Sequence, residues 1–244
     1  MNLIELESVG STNDYVKAHI DTLTSPTMVS AFAQTAGRGQ RGNSWESEPG
    51  ENLTFSVFVR LPDFPARRQF AVSEAVALAV AGMLNSFGLK AKVKWPNDIY
   101  VGNRKICGIL IEHAIMGTLL AHTIIGVGIN INQRQFISPA PNPVSVWQLL
   151  GRETPVETVR EEMMRRLENC FRDLADEEGR MTVHNGFLQC LWRGDGDTYP
   201  FRDTATGEEF RASIAGIDPD GPLRLRLVGG EEREYLFKQV EFLL

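Results

Sequence analysis

Residues 37–42 read Gly-Arg-Gly-Gln-Arg-Gly, which combines a flexible glycine backbone with two fixed positive charges. The pattern satisfies G-x-G-x-x-G, but a dinucleotide-binding fingerprint has to open a helix whose N-terminus receives the pyrophosphate. Residues 43–52 are instead turn-forming types, and we expect no helix to begin among them. Arginine recognises phosphate and carboxylate groups through paired hydrogen bonds. The loop therefore favours closure over an anionic ligand.

Two further clusters offer groups for such a ligand. Residues 94–98 (KWPND) end a predicted strand in a turn that presents Asn97 and Asp98. A turn whose side chains bond their own backbone is the better explanation of this motif taken alone. Lys105 opens another predicted strand, and Gly108 within it indicates a close approach of a ligand or of backbone. A solvated lysine at a strand start is again the simpler reading of Lys105 by itself.

A third cluster contains Gly126 and Gly128, which clear one face of a predicted buried strand. Either this face is a surface on which a flat or linear ligand lies, or the strand is a twisted strand of the core. The sequence lacks a Walker loop, an H-E-x-x-H motif and a nucleophile-with-base signature. Its four histidines show no metal-ligand spacing. The remaining polar and charged residues suit a reaction in which the protein positions its substrates and stabilises negative charge. These residues are Arg38, Arg41, Asn97, Asp98, Lys105 and Asn130.

The composition is that of an ordinary globular protein, with 244 residues, 43% hydrophobic and 23% charged. A net charge of −6 argues against nucleic acid as the main partner. The three cysteines do not show the spacing of a disulfide framework or of zinc ligands, so we expect a reduced, cytoplasmic compartment. The N-terminus does not read as a signal peptide. The longest apolar stretch, residues 70–84, is interrupted and too short to span a bilayer, so we expect no membrane partner.

The predicted elements indicate an α+β domain at residues 1–190 and a small C-terminal β-barrel similar to an SH3 fold at residues 191–244. Helices are expected from Ser11, over residues 67–87 with Gly88 as the stop, and from Pro155. Short links between strands favour antiparallel neighbours. The predicted strands of the first domain are residues 28–34, 52–60, 90–95, 106–113 and 119–132. Five short alternating strands follow from about Thr198.

The motifs together resemble the biotin–protein ligases. The matching segments, in order, are Ser11-Thr12-Asn13 and residues 34–45, 94–98, 104–110 and 126–130. The resemblance implies a catalytic domain like a class II synthetase, with a mixed or antiparallel sheet and helices packed on it. Only ten residues precede the first motif. We therefore expect a stand-alone ligase without the N-terminal DNA-binding domain of bifunctional members, and no DNA partner.

The resemblance implies a two-step reaction. Biotin and MgATP give biotinyl-5′-AMP and pyrophosphate, and biotin then passes to a lysine of a biotin carboxyl carrier domain of the acetyl-CoA carboxylase type. By motif match, the implied catalytic residues are Arg38, Lys105 and Asp98. The implied biotin-binding residues are Ser11, Thr12, Asn13, Gln34, Gly37, Arg38, Gly39, Gln40, Lys105, Gly108, Gly126 and Gly128. The implied ATP-binding residues are Arg38, Arg41, Trp45, Asn97, Lys105 and Asn130. Mg²⁺ would accompany ATP, with no metal site fixed by the protein alone.

The chain departs from the family pattern at two places. Gln40 stands where many members have arginine, which removes a charge near the adenylate, and residues 142–147 match a second family loop only loosely. One alternative is a lipoate or octanoate ligase or transferase of the same superfamily, although the usual arginine-arginine and triple-glycine signature is absent. Another is a non-catalytic module that binds biotin or a nucleotide. The resemblance also allows a homodimer.

Overall fold

The computed structural model describes residues 1–138 and 142–244, with the side chain of Arg41 outside the described part. Within these residues the chain forms five α-helices and twelve strands. The helices are α1 (Thr12–Ala18), α2 (Phe70–Ser86), α3 (Val146–Leu150), α4 (Val156–Asp173) and α5 (Glu177–Gln189). The strands are β1 (Asn2–Val9), β2 (Thr27–Gln34), β3 (Leu53–Val59), β4 (Ala91–Lys94), β5 (Asp98–Val101), β6 (Arg104–Met116), β7 (Leu119–Ile129), β8 (Tyr199–Asp203), β9 (Glu209–Ile217), β10 (Leu223–Leu227), β11 (Glu232–Tyr235) and β12 (Val240–Phe242).

The first seven strands form one large sheet in the order β1-β2-β3-β7-β6-β5-β4. β1 and β2 run parallel, and α1 makes the crossover between them. All other neighbours in this sheet are antiparallel. The sheet is therefore mixed, and the fold expected from the sequence is confirmed.

The two faces of the large sheet have different roles, which β3 makes clear. Phe55 and Val57 point to the face covered by α2 and α4, where the main core lies, and α5 packs against these two helices. Ser56 lies on the opposite face, where its hydroxyl reaches the first residues of α1. Because side chains alternate along a strand, one strand supplies both the core and a polar face.

The remaining strands form the small sheet, in the order β11-β10-β9-β8-β12. The five short C-terminal strands expected from the sequence are therefore present. Two indole N–H groups tie this part to the first: Trp95 Nε1 donates to the Gly221 carbonyl oxygen at 3.0 Å, and Trp192 Nε1 donates to that of Gly102 at 2.8 Å. The boundary at residue 190 stays a prediction.

Local sequence patterns predicted the long helices and strands better than the short ones. The helix expected over residues 67–87 is α2, preceded by a single 3₁₀ turn, and Gly88 follows it with φ +84°. Four elements are not predicted from the sequence: β1, β5, α3 and α5. The α5 segment contains Gly179 and Gly186, and glycine lowers helix propensity. Among the described residues, none of the helices combines the length and the hydropathy that a membrane-spanning helix needs.

Candidate active site

A cavity of about 720 Å³ lies between the α1 face of the large sheet and the small sheet. Its wall contains most of the residues that the sequence predicts for a site. They are Ser11, Thr12, Asn13, Gln34, Arg38, Gly39, Gln40, Trp45, Asn97, Asp98, Lys105, Gly108, Gly126, Gly128 and Asn130. Gly37 closes the base of the loop, where its carbonyl oxygen accepts from the Trp45 amide at 2.9 Å. The side chain of Arg41 lies outside the described part of the chain.

One end of the cavity is a buried hydrogen-bonded cluster at the start of α1, which we call the head end. The Thr12 amide and hydroxyl both donate to Gln34 Oε1, at 2.8 and 3.1 Å. Ser56 Oγ lies 2.7 Å from Thr12 Oγ1 and 2.5 Å from Asn13 Oδ1. Ser56 is not among the residues that the sequence predicts for the site, although its place between the core-facing Phe55 and Val57 in β3 is a usable signal. The head end holds its polar groups in fixed orientations.

The floor of the cavity is backbone, because three glycines on β6 and β7 are neighbours there. Gly108 pairs with Gly128, and Gly126 pairs with Ser56 of β3. A Cβ atom on Gly126 would lie 2.3 Å from Asn13 Oδ1, and one on Gly128 would lie 2.3 Å from Trp45 Cε2. Both distances are below van der Waals contact. Glycine is therefore required where other side chains rest directly on these strands.

The side chain that rests on Gly108 and Gly128 is the indole of Trp45. The loop before it folds back as a small hairpin, in which the Gly39 amide donates to the Asn43 carbonyl oxygen at 2.7 Å. Trp45 Nε1 is buried and finds no acceptor among the described residues. Buried N–H groups are nearly always paired in folded proteins. The indole thus covers part of the floor without being bonded there.

The other end of the cavity carries charge. Lys105 Nζ lies 2.7 Å from Asp98 Oδ1, because their strands β6 and β5 are adjacent. Both side chains keep more than a quarter of their surface exposed. Asn97 Nδ2 donates to the Ile109 carbonyl oxygen at 2.5 Å, and Asn130 Nδ2 donates to that of Val144 at 3.0 Å. The two carboxamides therefore brace the wall of this end through their NH2 groups.

Arg38 belongs to a separate cluster of charges beside the head end. Its guanidinium pairs with Asp14, and its Nη2 lies 3.5 Å from Glu112 Oε1. Glu112 also accepts from Asn13 Nδ2 and Lys17 Nζ. Glu112 is also not among the residues that the sequence predicts for the site. Two-residue periodicity from Gly108 along β6 places it on the cavity side of the sheet.

The small sheet completes the charged end with residues that local sequence could not identify. Glu241, Phe242 and Phe237 line the cavity together with Lys94. Lys94 Nζ lies 4.9 Å from the centre of the Tyr100 ring and 5.6 Å from that of Phe242. Burial lowers the pKa of this ammonium, and the nearby charge of Asp98 opposes the change. No group of three or more metal-ligating side chains occurs in the described residues.

Comparison with known proteins identifies relatives of this chain. The chain is 40% identical over 131 residues to the bifunctional ligase/repressor BirA of Escherichia coli, covering 53% of this chain and 40% of that protein. It is 28% identical over 237 residues to the biotin–[acetyl-CoA-carboxylase] ligase of Paracoccus denitrificans, covering 93% of this chain and 95% of that protein. The chain spans 40% to 64% of the length of the bifunctional ligase/repressors that it matches.

Solved structures share the fold. The biotin protein ligase from Aquifex aeolicus in complex with biotin and ATP superposes with a TM-score of 0.82 at 21% identity, covering 98% of this chain and 97% of that one. The sequence profile of the biotin/lipoate A/B protein ligase family matches residues 5–130, more than half of the 244 residues. The chain belongs to the biotin/lipoate A/B protein ligase family.

Proposed function

We propose that the protein is an ATP-dependent biotin–protein ligase. The observation that carries the proposal is that the two ends of the cavity offer different chemical groups. Its head end offers fixed hydrogen-bonding groups for a small polar ring, and its other end offers Lys105 beside Asp98. The names of the relatives support it: two are biotin–[acetyl-CoA-carboxylase] ligases, and a solved relative from Leishmania major holds biotinyl-5-AMP.

In the first step of the proposed reaction, a carboxylate oxygen of biotin attacks the α-phosphorus of ATP. A new P–O bond forms, the bond to the β-phosphate oxygen breaks, and pyrophosphate leaves with that electron pair. The nucleophile belongs to the substrate, so the protein has only to align the two molecules and stabilise the growing negative charge. We assign this stabilisation to Lys105, and its position at the charged end of the cavity supports the assignment.

In the second step, the neutral ε-amine of a carrier lysine attacks the acyl carbon of biotinyl-AMP. The amide bond forms, AMP leaves with the electron pair of the acyl–oxygen bond, and the amine gives up a proton. Asp98 is the carboxylate that we assign to accept this proton, since a base must lie within hydrogen-bond reach of the group it serves. Mg²⁺ enters the proposal with ATP, because proteins commonly bind it through one or two carboxylates and substrate phosphates.

The proposal is tested by mass spectrometry. The purified chain is incubated with biotin, ATP and Mg²⁺, with and without a biotin carboxyl carrier domain. We expect biotinyl-AMP in the first mixture and a biotinylated carrier in the second, and EDTA should suppress both. Biotin binding without any adenylate would identify a non-catalytic binding module and contradict the proposal.

The position of Trp45 gives a second prediction. The indole covers the floor that the acyl chain of biotin would need, so biotin binding should displace it and change its fluorescence emission. Titration with biotin is compared between the wild type and Trp45→Phe, which keeps an aromatic ring. Trp95 also lines the cavity and remains in the variant, so we expect the emission change to be clearly larger in the wild type than in Trp45→Phe. An equal change in both proteins would contradict displacement of the Trp45 indole.

A further inference from the structure

Glu112 lies on β6 and collects three donors behind the wall of the cavity. It accepts from Asn13 Nδ2 at 2.9 Å and from Lys17 Nζ at 2.6 Å, and Arg38 Nη2 lies 3.5 Å away. Burial alone would raise the pKa of the Glu112 carboxyl, but its hydrogen bonds and the charges of Lys17 and Arg38 hold the pKa below its usual value. At neutral pH Glu112 is therefore an anion, which can only accept hydrogen bonds.

An anion at this position determines which way the Asn13 carboxamide faces. A carboxylate can pair only with the NH2 group of an amide, so Asn13 Oδ1 must point away from Glu112. This oxygen lies over the floor, where Ser56 Oγ donates to it at 2.5 Å and a Cβ on Gly126 would be 2.3 Å away. A carboxamide oxygen has two lone pairs, and it can therefore accept a second hydrogen bond from a ligand on the floor.

Gln34 complements this acceptor with a donor. Its Oε1 accepts the hydrogen bond of the Thr12 amide at 2.8 Å, so its NH2 group is the part able to serve a ligand. The head end thus presents an amide oxygen and an amide NH2 to the same ligand ring. A cyclic urea has N–H groups and a carbonyl oxygen that match this pair, whereas a dithiolane ring has neither.

We propose that Glu112 is a specificity-determining positioning residue, which selects a cyclic urea head group by fixing the orientation of Asn13. The proposal deepens the ligase function and rests on it, since biotin is the urea-bearing substrate. Without the carboxylate, Asn13 can turn its NH2 group toward the floor, where it meets the N–H of the urea. Two facing donors leave buried polar groups unpaired, which weakens binding of the correct ligand.

The central variant is Glu112→Gln, which keeps the shape of the side chain but can present either an oxygen or an NH2 group to Asn13. We expect the KM for biotin in adenylate formation to rise roughly tenfold to hundredfold, as for the loss of a hydrogen bond to a charged group. The KM for ATP and kcat should stay within about threefold, because the lost interaction is the same in the ground state and the transition state.

A second variant restores the orientation by another route. Adding Asn13→Asp to Glu112→Gln lets the new glutamine donate its NH2 group to one aspartate oxygen, while the other oxygen faces the floor. The pair keeps its total charge. We expect this double variant to recover most of the affinity for biotin. Lys17→Gln is the matched control, since it removes another partner of Glu112 but leaves the Asn13 hydrogen bond.

Each outcome decides between distinct explanations. An unchanged KM for biotin in Glu112→Gln would overturn the role of Glu112. A parallel loss of biotin affinity, ATP affinity and kcat, with no recovery in the double variant, would also overturn it and identify a merely structural residue. If the wild-type protein forms no adenylate from biotin, the ligase function itself fails, and the role of Glu112 falls with it.

Discussion

Replacing Lys105 with methionine is expected to slow biotinyl-AMP formation by roughly a hundredfold to a thousandfold, the usual effect of removing a group that stabilises transition-state charge. The ammonium lies 2.7 Å from Asp98 at the charged end of the cavity. In the proposed reaction, negative charge grows there as the biotin carboxylate attacks ATP. Binding of the biotin ring should change much less, because the proposed binding mode holds the ring through residues of the head end.

We expect Lys105→Met to have little effect on the free energy of unfolding, so a loss of stability should not obscure the slower reaction. The Lys105–Asp98 pair is partly exposed, and exposed ion pairs contribute little to folding. Single-turnover release of pyrophosphate measures the chemical step, and calorimetry measures biotin affinity. Arg104→Gln is the matched control, since it removes an exposed cation next to Lys105 in the same strand. A Lys105→Met variant with a wild-type single-turnover rate would exclude Lys105 from the reaction.

The second large effect is expected for Gly128→Ala. The added Cβ would lie 2.3 Å from Trp45 Cε2 and 2.4 Å from its Nε1, so the indole must leave the floor. The methyl group would also remain on the surface where the acyl chain of biotin has to lie. Overpacking of this kind costs about 1–3 kcal/mol, which corresponds to a roughly tenfold to hundredfold weaker affinity for biotin.

Calorimetric titration with biotin measures this loss, and thermal unfolding shows whether the variant is folded. Gly229→Ala is a suitable control, because a Cβ at Gly229 meets no atom within 4 Å. It should bind biotin like the wild type. If Gly128→Ala also binds biotin with wild-type affinity, the ligand does not lie on this part of the floor.

The sequence predicted those features of the fold and of the site that depend on residues close together along the chain. The apolar positions Val159, Met163 and Leu167 follow a helical period, and all three are buried in α4. The sequence predicts that Gly126 and Gly128 clear one face of a strand and that Gly108 marks a close approach, and the structure pairs Gly108 with Gly128. These features follow from local periodicity, which a single sequence contains.

Other site features depend on contacts between distant segments and were not predictable. Glu112 meets Asn13 across 99 positions of sequence, and Glu241 and Phe242 reach the cavity only because the small sheet packs against the first domain. The structure pairs Arg38 with Asp14 and Glu112, and its predicted contact with the ligand stays a prediction. Charge alone does not determine which of several anions an arginine contacts.

The most direct measurement of the central claim is exchange of labelled pyrophosphate into ATP. Exchange requires reversible formation of an acyl-adenylate and needs no carrier protein. We expect exchange that depends on added biotin, is absent with lipoic acid, and is nearly abolished in Lys105→Met. Exchange that responds to lipoic acid and not to biotin would contradict the assignment, and so would the absence of exchange with either acid.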